Sequence, residues 1–129
     1  MLLFTLVVCK RGRLTEPWCA RNRGDGMIIV KGTMKLADGG GFRLKSALVA
    51  LTAATRAEPG CEHYSVTPDP DDPDLLIVSE KWVDQASLGA HLVADHMIEF
   101  QLAMRRTRIL KADVNIYYHD GTTKRLINV

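Results

Sequence analysis

Residues 61–82, CEHYSVTPDPDDPDLLIVSEKW, hold two strand-like runs with no helical segment between them. Cys61 to Thr67 alternates in polarity, and Leu75 to Trp82 is an apolar, β-branched run. Between them Pro68 to Asp74 is so rich in proline and aspartate that it reads as an exposed loop, which predicts an antiparallel hairpin with a long connection. Two strands paired directly in mid-chain exclude a plain alternation of strand and helix.

Outward from this hairpin the periodicity switches in order. Upstream, Leu44, Ala47, Leu48, Leu51 and Ala54 recur at the spacing of one helix face, and Pro59-Gly60 terminates it. Before that helix, Met27 to Leu36 reads as a strand and Ala37-Asp38-Gly39-Gly40-Gly41 as a loop. Downstream, the Asp84 carboxylate can accept from free amides of a first helical turn, so a helix is predicted from about Gln85. Asp95 offers a second cap, which predicts a short and a longer helix with a bend between them, followed by Arg105, Arg106 and Arg108 at the negative pole. Ala112 to Tyr118 is a last strand, with a turn at His119-Asp120-Gly121 and a short tail. The order βαββαβ is the ferredoxin-like plan of the α+β class, an antiparallel four-stranded sheet with the helices on one face. Ile29, Tyr64, Val66, Val78, Trp82, Ile116 and Tyr118 look too apolar to leave the second face in water, so a homodimer is expected.

A chain of 129 residues with 47% hydrophobic and 25% charged residues has the composition of one ordinary globular domain. Its formal charge of +2 is unevenly spread: residues 1–26 carry +3 and residues 27–129 carry −1. The main domain lacks the basic stripe that phosphate binding requires, so a nucleic-acid partner is not expected. Cys9, Cys19 and Cys61 are odd in number and form no CxxC pair, as expected of reduced thiols in a cytoplasmic protein. Met1 to Val8 (MLLFTLVV) has neither the basic flank of a signal peptide nor the length of a membrane helix, so no membrane partner is expected. Met27 opens directly onto a strand, which suggests residues 1–26 as an N-terminal extension and 27–129 as the domain.

Four groups of residues could carry chemistry. On the strand ending at Trp82, alternation puts Val78, Glu80 and Trp82 on one face. Trp82 there is a core residue or a pocket wall, and Glu80 must be solvated, bonded to a base such as His91, or raised in pKa. His91 and His96 are five apart, about 140° around an unbroken helix, so they converge only if the helix bends at Asp95; no further His/Cys cluster completes a ligand set and no metal is expected. Each is a buried structural histidine or a proton-transfer group. Tyr64 could present its phenol to a substrate or pack across strands. The Asp69, Asp71, Asp72 and Asp74 cluster lacks the glycine and distal glutamate of a calcium loop and reads as a solvated turn. There is no P-loop, dinucleotide fingerprint or nucleophile elbow.

The combination Arg56-x-Glu58-Pro59-Gly60-Cys61-x-x-Tyr64, Glu80-x-Trp82 and Ala86-x-Leu88-x-x-His91-Leu92-x-x-x-His96-Met97 resembles the antibiotic biosynthesis monooxygenase family, including its quinol monooxygenase members. The match spans about residues 27–118. The resemblance implies a dimeric α/β-barrel protein and a cofactor-free oxygenase acting with dioxygen on a small aromatic substrate. It implies a pocket between sheet and helices, with Tyr64, Trp82, His91 and His96 as the positions to carry over and Phe100 as an apolar wall. Anthrone-oxygenating relatives have an asparagine where Val78 stands and an arginine where Leu102 stands; haem-degrading relatives have a tryptophan at the place of His91 and an axial histidine near Gln101. Neither set is present here. The leading expectation is therefore a cofactor-independent monooxygenase for an electron-rich quinol or phenol, with His91 as base, His96 or Tyr64 as donor, and Glu80, Trp82 and Phe100 around the substrate. The alternatives are a small-molecule-binding or stress-response dimer without turnover and a pure assembly module.

Overall fold

The structure is a computed structural model that describes residues 26–127; the expected N-terminal extension, with Cys9 and Cys19, lies outside the described residues except for Gly26. The strands are β1 (Ile28–Leu36), β2 (Cys61–Asp69), β3 (Asp72–Trp82), β4 (Ile109–Tyr118) and β5 (Thr123–Arg125); the helices are α1 (Gly40–Arg56), α2 (Gln85–Leu92) and α3 (Asp95–Met104). They form one antiparallel sheet in the order β2-β3-β1-β4-β5. This is the ferredoxin-like α+β arrangement that the element order predicts. No helix among the described residues is long and apolar enough to cross a membrane.

The helix face read from periodicity is the one that packs: Leu44, Leu48 and Leu51 are buried in a single core with Val30, Leu36, Leu76, Val78, Trp82 and Val114. Several boundaries differ from expectation. The aspartate- and proline-rich segment is not a long loop, because the strands run on through it to a tight turn at Pro70-Asp71. Asp69 and Asp72 close that turn by accepting the amides of Asp71 and Asp74. Nor is Asp74 a purely solvated group: its two oxygens accept from the amides of Gly39 and Gly41 at 3.0 and 2.9 Å, capping α1 from across the fold. These bonds, that to Gly41 first, hold its carboxyl below the usual range. α1 starts inside the glycine run because a Cβ on Gly41 would meet the Pro73 carbonyl oxygen at 1.8 Å, so only glycine lets the helix start dock there.

The predicted bend is real, with Asp84 capping α2 through Ser87 N at 2.8 Å. Asp95, however, is not a cap; it is the first residue of α3, preceded by Ala94 in an extended conformation. β4 begins earlier than expected, at Ile109, and part of the expected tail pairs with it as β5.

Contrary to expectation, most of the apolar strand residues do not face an open second surface. Tyr64, Val78, Trp82, Ile116 and Tyr118 are all buried on the helix-covered face. The open face instead presents Ile29, Leu75, Ile77 and Tyr117 among Lys31, Thr33, Ser65, Thr67, Ser79 and Asn115, a mixed surface.

Candidate active site

The turn after α1 sets one wall. Glu58 N donates to Thr55 O and Cys61 N to Glu58 O, while Arg56 Nε donates to Tyr64 O, tying the end of α1 to β2. Gly60 sits at φ 85°, a left-handed conformation, and a Cβ there would lie 2.2 Å from Ser87 Oγ. The turn therefore presses against α2 and delivers Glu58 to the junction of α2 and α3. Opposite it, the chain leaves α2 at Val93, and Ala94 at ψ 151° redirects it into α3. That break cancels the angular separation a continuous helix would impose on His91 and His96.

As a result both histidines meet the same carboxylate oxygen. His91 Nδ1 lies 2.9 Å from Glu58 Oε1, and His96 Nε2 contacts that oxygen from the other side. His91 is fully buried; the Glu58 and His96 side chains are 14% and 24% exposed, so the cluster runs from interior to surface. Burial holds the His91 pKa below its ordinary value despite the neighbouring Glu58, which pulls the other way. A carboxylate only accepts, so neutral His91 carries its proton on Nδ1 and donates to Glu58; Nε2, with no hydrogen-bond partner among the described residues, keeps the lone pair. Trp82 packs against the imidazole at 4.8 Å between ring centroids, and Tyr64 meets it edge-on at 5.6 Å.

Glu80 is not bonded to His91. Trp82 Nε1–H donates to Glu80 Oε2 at 2.9 Å, two residues along the same strand face. Burial pushes the Glu80 carboxyl up to about 7, with the indole donor opposing the shift and the Glu58 charge adding to it. Burial likewise raises the Tyr64 phenol, helped by Glu80, so it stays protonated at neutral pH.

A cavity of about 70 Å³ lies between the sheet and the helices. Its polar lining is Tyr64, Glu80, His91 and Gln101, and its apolar wall includes Phe100, Met34, Met97 and Met104, with Leu126 and Ile127 closing it after β5. Of the residues singled out in the sequence, Tyr64, Glu80, His91 and Phe100 line this space. Trp82 stands behind His91 and His96 stands outside, joined to the site through Glu58. Glu58 had no assigned role in the sequence, although it falls within the motif around Pro59-Gly60. Glu58, His91 and His96 are the residues here whose donor atoms converge closely enough to hold a cation.

The family model for antibiotic biosynthesis monooxygenase matches residues 27–103, from β1 to the end of α3, which is the span that builds this cluster. The chain belongs to the antibiotic biosynthesis monooxygenase family. Among solved structures it is similar to a Pseudomonas aeruginosa protein with 27% identity and a TM-score of 0.64, over 74% of this chain and 95% of that one. A Shewanella oneidensis protein has 26% identity and a TM-score of 0.65, over 74% and 93%. A Caulobacter crescentus protein, described as a candidate antibiotic biosynthesis monooxygenase, has 25% identity and a TM-score of 0.63, over 76% and 92%. No curated protein matches the chain. This family member therefore carries a monooxygenase-type fold, with a His–Glu–His cluster beside its cavity.

Proposed function

We propose that the protein is a cofactor-independent monooxygenase that oxidises an electron-rich quinol or phenol with dioxygen. The observation that carries this reading is His91: a buried imidazole, oriented by Glu58, whose unpaired nitrogen belongs to a residue lining an apolar cavity. His91 Nε2 takes the phenolic proton, and the resulting anion is rich enough to pass an electron to dioxygen. For a quinol, the two radicals combine at the carbon beside the oxyanion. Protonation of the peroxide, by the His91 imidazolium or by Glu80, and loss of the carbon-bound hydrogen with cleavage of the O–O bond release water. The substrate gives up four electrons; one oxygen atom stays in the hydroxyquinone product and the other leaves as water. Tyr64 and Gln101 supply polar contacts, while Phe100 and the methionines supply apolar ones. His96, partly exposed, passes protons between Glu58 and solvent, and the chain acts as a homodimer across its open sheet face.

At about 70 Å³ the cavity admits dioxygen or a couple of waters and is too small for a bicyclic quinol. Substrate entry therefore requires the wall of Met97, Phe100, Met104, Leu126 and Ile127 to move, and unbranched methionines repack at low cost. The second reading, a binding protein without turnover, is favoured by Val78 and Leu102, which stand where anthrone-oxygenating relatives have an asparagine and an arginine. Oxygen uptake with a panel of quinols, juglones and anthrones separates them. The oxygenase reading expects uptake above the uncatalysed rate and, with labelled dioxygen, one labelled atom in the product; uptake equal to the blank for the whole panel rejects it.

A further inference from the structure

The helix break at Val93–Ala94 removes the geometric objection to a metal site on His91 and His96. Their two nitrogens and the Glu58 carboxylate converge from three separate elements, with all donor atoms within 4.8 Å of one another. Both histidines already share one Glu58 oxygen. An ion bound to nitrogen and oxygen ligands at about 2.0–2.2 Å needs its donors roughly 3–3.5 Å apart, a spacing these side chains reach by small rotations. The site is graded as a metal site should be: His91 is fixed in the interior between Trp82 and Tyr64, while partly exposed His96 leaves an entry path.

We propose that Glu58, His91 and His96 form a three-ligand site for one divalent first-row transition-metal ion. Two imidazoles and one carboxylate suit zinc, iron(II), cobalt or nickel and not calcium or magnesium, which prefer all-oxygen shells. Three protein ligands leave a coordination position for water. The ion takes the Nδ1 position of His91, so the ring then carries its proton on Nε2; metal-bound His91 is not a base, and the two states exclude each other. The proposal does not depend on the oxygenase reading, because ion binding is read without turnover.

The test is calorimetric titration of Zn2+ into the full-length protein after chelator treatment and dialysis, with Co2+ absorption as a second readout. One ion per chain is expected, with a Co2+ spectrum free of thiolate charge transfer. His96→Ala and Glu58→Gln should each weaken binding at least about tenfold, and Zn2+ should raise the Tm of the wild type but not of His96→Ala. His63→Ala and His119→Ala, both at exposed positions, should leave binding unchanged. His96, on the partly exposed side, is the variant least prone to misfold. Absence of stoichiometric binding, or binding that survives His96→Ala and disappears when the thiols are blocked or His63 or His119 is replaced, overturns the proposal.

Discussion

Glu80 has a carboxyl pushed up to about 7 by burial, whereas the unfolded chain restores its ordinary value near 4.5. The folded state therefore binds this proton more tightly, and stability is fully present below the unfolded value and lost as pH rises through the folded one. At about 1.4 kcal/mol per unit of pKa, the loss between pH 4.5 and 8 is about 3 kcal/mol. Glu80→Gln keeps an acceptor for the Trp82 indole and removes the titration. Urea unfolding should find it more stable than wild type at pH 8, with the gain shrinking at pH 5; a gain independent of pH contradicts the burial argument. Glu58 acts one step away, through His91. Glu58→Gln should lower kcat by roughly ten- to a hundredfold with little change in KM, as removal of an orienting partner does. Alternation alone put Val78, Glu80 and Trp82 on one face, and that was legible in the sequence. The partner of His91 was not: Glu58 lies 33 residues upstream, and no periodicity links a turn after one helix to the last turn of another.

At the scale of elements, turns place the cluster. Gly60 is held at φ 85° against Ser87, so Gly60→Ala brings both backbone strain and a clash. Loss of about 1 kcal/mol or more is expected from chemical denaturation, together with lost activity, because the same turn carries Glu58. Pro59-Gly60 was readable as a terminator; that it also aims a carboxylate was not, since aim depends on what packs beside it. The bend between α2 and α3 was legible from two aspartates, yet only Asp84 caps, because an extended Ala94 occupies the position Asp95 was expected to fill. The run at 68–74 misled more: proline and aspartate are common in loops, but here Pro68, Pro70 and Pro73 sit at or near a hairpin end where few ladder amides are needed, and Asp74 is recruited to α1. Asp74→Ala should lower the Tm without altering the site, a separation that circular dichroism melts and an activity assay would read.

For the whole molecule, the order of elements was enough to identify the architecture, because a βαββαβ sequence with a direct central hairpin has few ways to bury its faces. Assembly was less legible: the apolar strand residues that pointed to a partner, Ile29 excepted, already lie under the helices, and the open face is a mixture of isoleucine, leucine and tyrosine with lysine, serine and threonine. Such a face can still form an interface, since interfaces as a whole are no more apolar than other surface. Size-exclusion chromatography with light scattering should give twice the chain mass of 14.3 kDa at micromolar concentration, and a monomer would leave the cavity to a single chain. The decisive step of the proposed reaction is the removal by His91 of the proton that commits a substrate to dioxygen. Its most direct test is the initial rate of oxygen uptake by metal-free wild-type and His91→Ala proteins, both verified as folded, on the best substrate of the quinol and phenol panel. A fall of at least about a hundredfold in His91→Ala is predicted; full turnover by that variant would contradict the account.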